Sequence, residues 1–452
     1  VKVTPEWRLY ILGAALCVAL TICSRNFGDR GGPYFMASLT LAGVAYLLAI
    51  RDFFATPKFS RRVVVIGLVL AAAWNIAFLR LPSGADDDIH RYVWDGRLQR
   101  LGYNPYLVVP SDPAVKDLHT PETRNLNNPD LPSPYPAGAQ LFFRAVTALH
   151  ESAFALKVAF VVCEFAIILV LLDLLRPKQR AHLVLAFAWN PLLAIEVAGS
   201  GHIDIVGALL LVVSAAALVR RWRTTAAVAL GLAVSVKFLP IVLLPLYWKR
   251  VRLRDAALAT AMVGLLYVPF LNHGRIPIGS LGTYVQGFRF NGPVFAILIR
   301  VAPPHLLVVL AVLVGLVTAA WLRSRAPEWP PDLFAWPMAT SLLCAPVVFP
   351  WYLLWLLPFL TSPSTLLIII WTLCIIPTYV MWHFRALGRP WGSLPVWAML
   401  LEYGCVAAAG VVIALRRLMR PVAPAQHTTS VSRNPEGSSN ATSVQFTEEG
   451  HS

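Results

Sequence analysis

Three consecutive carboxylates, Asp86, Asp87 and Asp88, follow an apolar run at the start of GADDDIHRYVWDG, Gly84 to Gly96. Adjacent negative charges repel, and one aspartate alone would cap a helix, where the positive end of the dipole favours its ionised form. The surplus suits a general base: an ionised carboxylate at a water–lipid boundary that takes a proton from a hydroxyl brought within hydrogen-bond reach. A solvated acidic cap, with Arg91 pairing to Asp88 and Asp95, explains the same pattern through ordinary i,i+3 and i,i+4 helix chemistry.

The elements that must position these carboxylates are membrane helices. Of the 452 residues, 57% are hydrophobic and 13% charged, and apolar runs recur from end to end. That composition places the chain among all-α polytopic membrane proteins. Spans are expected near 7–23, 34–50, 63–81, 154–175, 182–197, 203–219, 255–271, 305–322, 333–349, 351–361, 364–382 and 394–416. The first apolar run, Leu9 to Cys23, reads as a span rather than a cleavable signal. Six cysteines in or beside apolar segments, with no CxxC spacing, indicate neither a disulfide framework nor a thiolate metal site.

The net charge of +15 comes as short clusters between spans and reads as topology signals, not as a nucleic-acid surface. With a cytoplasmic N-terminus, the clusters at 51–62, 176–180, 220–223, 249–254, 323–325 and 416–420 all fall inside. The segment 225–248, basic at both ends, is then a pair of half-helices turning near Lys237-Phe238-Leu239-Pro240. This topology gathers 82–153, 198–202, 272–304 and the turn Phe349-Pro350-Trp351-Tyr352 on the opposite face. Residues 1–420 form the membrane domain, and 421–452, rich in Ser, Thr, Asn and Gly, read as a disordered cytoplasmic tail.

From Asp88 to Leu101 the chain reads as a helix ended by Gly102, with Asp88, Arg91, Asp95 and Gln99 forming one narrow polar stripe. A second amphipathic stretch, Pro136 to Leu149, carries Leu141, Phe142, Ala145, Val146 and Leu149 on one side and is expected to lie on the membrane. Between them, 108–135 reads as an irregular loop over a cavity mouth.

An ordered set of motifs accompanies these helices: DDDIHRYVWDG, GYNPY at Gly102 to Tyr106, YPAGAQ at Tyr135 to Gln140, NPLLAIEVAGSGHID at Asn190 to Asp204, SVKFLPIVLLP at Ser235 to Pro245, and PWYLLWLLP at Pro350 to Pro358. In this set the chain resembles the GT-C superfamily of integral membrane glycosyltransferases, especially bacterial mannosyltransferases with a polyprenyl-phosphate sugar donor. The resemblance implies inverting transfer of a sugar, with mannose the one it favours, to a lipid or glycan acceptor at the outer face of the bacterial inner membrane. It supports Asp87 and Asp88 as the recurrent acidic pair and favours Asp87 as the base, with Asp86 as a neighbour of the same chemistry. Ala137 stands where many relatives carry a second proline, and Phe349 where a histidine is expected.

A leaving phosphate needs positive charge or hydrogen-bond donors where negative charge develops. Lys237 is the leading candidate, since an intramembrane ion needs a partner or a task; pairing with Glu196 or snorkelling would equally occupy it. His202, Arg289 and Arg275 are further phosphate candidates. Arg91, Asp95, Glu196, Asp204 and Tyr352 are candidates for substrate contact. Glu196 and Asp204 bracket Gly199-Ser200-Gly201 and would position His202, or simply end helices, and Tyr352 with Trp351 would stack on sugar or anchor spans. Adjacent carboxylates can also hold a divalent cation, and the sequence leaves metal use open.

Two other classes fit parts of the pattern. A secondary transporter or lipid flippase would also have broken helices and an intramembrane lysine, but its ionisable groups should gather at the midplane of two related halves. Here they gather in one long loop, with no internal repeat. A non-catalytic assembly subunit would leave the aspartates dispensable.

Overall fold

The computed structural model describes residues 5–84, 87–325 and 331–419. Asp86 and the tail at 421–452 therefore lie outside the described residues. The helices, in chain order, are α1 Pro5–Arg25, α2 Pro33–Ala55, α3 Arg61–Leu79, α4 Ile89–Arg100, α5 Ala137–Leu149, α6 Ala153–Leu175, α7 Val184–Ala188, α8 Asp204–Val219, α9 Arg223–Val236, α10 Leu244–Tyr247, α11 Leu253–Leu266, α12 Leu281–Gly287, α13 Pro293–Leu298, α14 Pro304–Arg325, α15 Ala335–Leu343, α16 Leu366–Cys374, α17 Val380–Ala386 and α18 Val396–Leu418. A π-helical stretch, Leu193–Ser200, lies between α7 and α8. Residues through Gly410 form one compact unit, and the described residues from Val411 on complete α18. Among the described residues there is no β-strand, only two isolated bridges.

Eight helices among the described residues are long and apolar enough to cross a membrane, and nine if a bent pair counts as one. The protein is an all-α polytopic membrane protein. Four of the twelve expected spans take other forms. The segment read as 182–197 is the bent pair, Ala181–Ala188 and Leu193–Ser200, at 60°. Pro191 at its break has no N–H to give a helix, and the Asn190 amide bridges the gap, accepting from Leu192 N and donating to Thr372 Oγ1. The 203–219 span is a shorter apolar helix, α8. The 333–349 span shrinks to α15, and 351–361 becomes successive 3₁₀ turns, Pro350–Trp355 and Leu357–Phe359, each with a proline in its first two positions. The expected break at Lys237 is present: α9 stops there in extended backbone, and the chain returns through a 3₁₀ turn, Leu239–Leu243, into α10.

The helix of the aspartates ends as its sequence foretold. Gly102 takes a left-handed φ of 84°, and Tyr103 N donates back to Leu98 O. On α5, Ala139, Gln140, Phe143 and Thr147 are buried, with Phe143 stacked on Tyr92 of α4 at 4.4 Å. On the side expected to face the membrane, Ala145 and Leu149 are exposed, while Leu141, Phe142 and Val146 are half-buried against the protein, Phe142 stacking on Phe160 of α6. Ser152 then caps α6 by accepting from Ala155 N.

Candidate functional site

A cavity of about 600 Å³ opens between the loop after α4, the break at Lys237, α12, the turn at 349–352 and α17. Asp88, Asn127, Lys237, Tyr284, Trp351 and Tyr352 are among its lining residues. Three of the four segments expected to share a face thus meet in one wall, and the fourth joins through His202, whose ring stacks on Trp351 at 4.0 Å.

The neighbouring aspartates have different partners. Asp87 is buried; it pairs with Arg30 at 2.8 Å and accepts from Gly84 N at 2.6 Å. Arg30 also donates to Ser200, so this pair joins the α1–α2 connection, the aspartate loop and the bent pair. The approach is close enough that a Cβ on Gly84 would sit 2.2 Å from the Arg30 guanidinium. Asp88 stands at the N-cap of α4 but its side chain caps nothing. Instead Oδ1 accepts from Asn127 at 2.6 Å, and Oδ2 lies 4.0 Å from His202 Nδ1. The solvated-cap explanation therefore fails at Asp88, and the side chain that lines the cavity is Asp88, not the favoured Asp87.

His202 lies in the turn between the bent pair and α8, where Gly201 takes a φ of 81° and a Cβ would meet Ile89 at 2.4 Å. Nε2 of His202 faces Glu196 at 3.1 Å, and Glu196 accepts from the Tyr379 hydroxyl. Burial opposes the imidazolium, but the hydrogen bond to Glu196 and the charges of Glu196, Asp88 and Asp204 outweigh it and lift His202 above its ordinary value. Tyr379, Glu196, His202 and Asp88 thus follow one another toward the cavity, with Nδ1 of His202 lacking a hydrogen-bond partner among the described residues.

Lys237 donates to Asp204 at 2.8 Å and sits 3.9 Å over the Tyr352 ring. The weighed pairing with Glu196 is corrected: Glu196 is taken by His202 and Tyr379, and the partner of Lys237 is Asp204. Asp204 Oδ1 also accepts from Trp355, while Oδ2 has no partner among the described residues. Behind Trp351 the stack continues through Phe349 at 4.4 Å to Phe290 at 4.4 Å, so the phenylalanine standing where a histidine was expected is part of an aromatic wall.

A family described as alpha-(1->6)-mannopyranosyltransferase, N-terminal domain, matches residues 24–251. The chain belongs to that family. The match takes in the aspartate helix, the 190–204 motif and the lysine segment, and it bears out the resemblance to membrane mannosyltransferases. Among solved structures, ArnT from Cupriavidus metallidurans bound to undecaprenyl phosphate is similar at 17% identity, covering 80% of this chain and 72% of that chain, with a TM-score of 0.43. None of the curated proteins matches.

Not every candidate read from the sequence joins this cavity. Arg91 and Asp95 pair with each other at 3.1 Å in the interior, Arg91 donating also to Leu131 O and Asp95 accepting from Ser133 and Gln140. They hold the 128–133 loop and α5 onto α4. Full burial lifts the Asp95 carboxyl above its ordinary value even though Arg91, Ser133 and Gln140 favour its charged form. Arg289 turns its guanidinium onto the carbonyls of Val285, Gln286 and Phe288, and Arg275 is exposed in the turn it forms with Asn272. Neither lines the cavity. Arg124, Arg385, Asn127 and Tyr284 line it without having been singled out in the sequence; Arg124 and Asn127 lie in the loop after α4, Tyr284 on α12 and Arg385 on α17, outside the quoted motifs. Among the described residues no three His, Cys, Asp or Glu side chains form a metal-binding group.

Proposed function

We propose that the protein transfers mannose from a polyprenyl-phosphate donor to a carbohydrate hydroxyl of a lipid or glycan acceptor, with inversion, at the outward face of the bacterial inner membrane. The observation that carries this reading is the Asp88 carboxylate lining the cavity without capping its own helix, in a wall that also holds Lys237. Asp88 takes the proton of the acceptor hydroxyl as that oxygen attacks the anomeric carbon. The C1–O bond to phosphate breaks, and polyprenyl phosphate leaves with the electron pair. Lys237 and cavity arginines such as Arg124 meet the charge developing on phosphate. Asn127 holds one oxygen of Asp88, and His202, oriented by Glu196, holds the charge beside the other. Asp87 acts by fixing the loop through Arg30.

An α-(1→6) product formed by inversion requires a β-linked donor, and its nucleophile is a primary hydroxyl. Purified protein in nanodiscs should therefore transfer labelled mannose from β-mannosyl polyprenyl phosphate, and not from the α anomer, to an α-mannoside. Transfer from GDP-mannose without the lipid-linked sugar, or equal use of both anomers, would overturn the proposal.

A further inference from the structure

A second concavity lies at the other end of the broken α9–α10 segment. There the return limb is short. Five 3₁₀ residues and four α-helical residues rise only about 16 Å, roughly half the hydrocarbon thickness of a bilayer. The limb packs closely on α14 where Gly315 meets Val242, a Cβ there falling 2.8 Å from that side chain. One turn further along α14 the contact opens into a groove of about 710 Å³, lined by Leu244, Trp248, Leu316, Ala320, Lys249 and Arg323.

The groove has an apolar floor and a basic mouth. Leu244 is 51% exposed and Trp248 70% exposed. Arg323 donates from Nε and Nη2 to Trp248 O, both at 3.3 Å, which draws the basic end of α14 to the basic turn after α10. Burial first, and then the charge of Arg323, push the neighbouring Arg250 guanidinium down. Lys249 holds a left-handed φ of 60° that glycine would adopt without strain, so the turn keeps its ammonium at a backbone cost. By the positive-inside rule this end faces the cytoplasm.

We propose that this groove binds a phospholipid with an anionic headgroup from the cytoplasmic leaflet. One acyl chain lies along Leu244, Leu316 and Ala320 where the half-length limb leaves α14 uncovered, and the phosphate meets Lys249 and Arg323 at the mouth. Charge complementarity selects the occupant: a zwitterionic lipid would fill the floor equally well but gains less from two adjacent cations.

Native mass spectrometry of the full chain, equilibrated with equimolar phosphatidylglycerol and phosphatidylcholine, tests the site. A basic residue near a membrane surface is worth about fivefold in affinity, so two give about thirtyfold for the anionic lipid. The double variant Lys249→Gln/Arg323→Gln should lose that preference. Lys249→Arg should keep it, and Ala320→Trp should lower retention of either lipid while leaving mannosyl transfer unchanged. Equal retention of both lipids by the parent, or a preference that survives the double variant, would overturn the site. Displacement of phosphatidylglycerol by equimolar polyprenyl phosphate would overturn the choice of a phospholipid as occupant. None of these readings depends on which residue is the catalytic base.

Discussion

The two charged clusters of the aspartate helix start from similar residues and end in opposite states. Along the stripe that continues inward, the Asp95 carboxylate is wholly occupied by Arg91, Ser133 and Gln140. At the mouth, Asp88 has one oxygen held by Asn127 and the other 4.0 Å from a His202 nitrogen that has no hydrogen-bond partner among the described residues. Buried polar groups normally find partners, because an unmet one costs the desolvation of that group. A carboxylate satisfied on every side is a fastening. One with an oxygen turned toward a cavity, beside a histidine nitrogen without a partner among the described residues, is the one the proposed function assigns to the substrate.

Substitutions can break this contrast. Asp88→Asn keeps size but removes the base, and turnover should fall about 10²–10⁴-fold with an unchanged melting temperature. Lys237→Met preserves the apolar stem and removes the ammonium; turnover should fall about 10²-fold, as for loss of one group that meets transition-state charge. Radiolabel transfer in nanodiscs measures both. His202→Gln should cost roughly tenfold in turnover, the worth of one hydrogen bond to a charged group. Because the folded His202 sits above its ordinary value, its stabilising contribution is complete below about pH 6.5 and is lost as pH rises through the raised value. The variant's melting temperature should therefore lack the parent's decline across that window, which thermal scans at several pH values can follow. Asp95→Asn should have the smallest effect on turnover, within threefold per folded molecule. Its cost should instead fall on stability, about 3 kcal/mol for a buried guanidinium left unpaired.

Much of the site was legible because the chemistry advertises itself. A lysine in an apolar segment, a histidine between two acids and a triplet of aspartates at a span's edge stand out because an ionisable group there needs a partner or a task. The sequence ranks Asp87 above Asp88, whereas the side chain that lines the cavity is Asp88. Adjacent residues in a turn point to different places, and the ion pair that claims Asp87 comes from Arg30, in the connection between α1 and α2. The partner of Lys237 was likewise hidden, since Asp204 lies 33 positions away and shares its oxygen with Trp355. Arg275 and Arg289 failed for the converse reason: a basic residue in an outward loop is informative only if the loop folds toward the cavity. The segment 182–197 is bent, and 333–349 and 351–361 are not single long helices, because hydropathy registers apolar length, whereas prolines at 191, 346, 350 and 358 bear on whether that length is one helix.

Single-turnover transfer from bound β-mannosyl polyprenyl phosphate, with Asp88→Asn and Asp95→Asn compared side by side, tests the division most directly. The account predicts that Asp88→Asn still binds the donor and stays folded but loses the chemical step at least about 10²-fold, while Asp95→Asn melts earlier yet transfers at nearly the parent rate. Parent-like transfer by Asp88→Asn would contradict it.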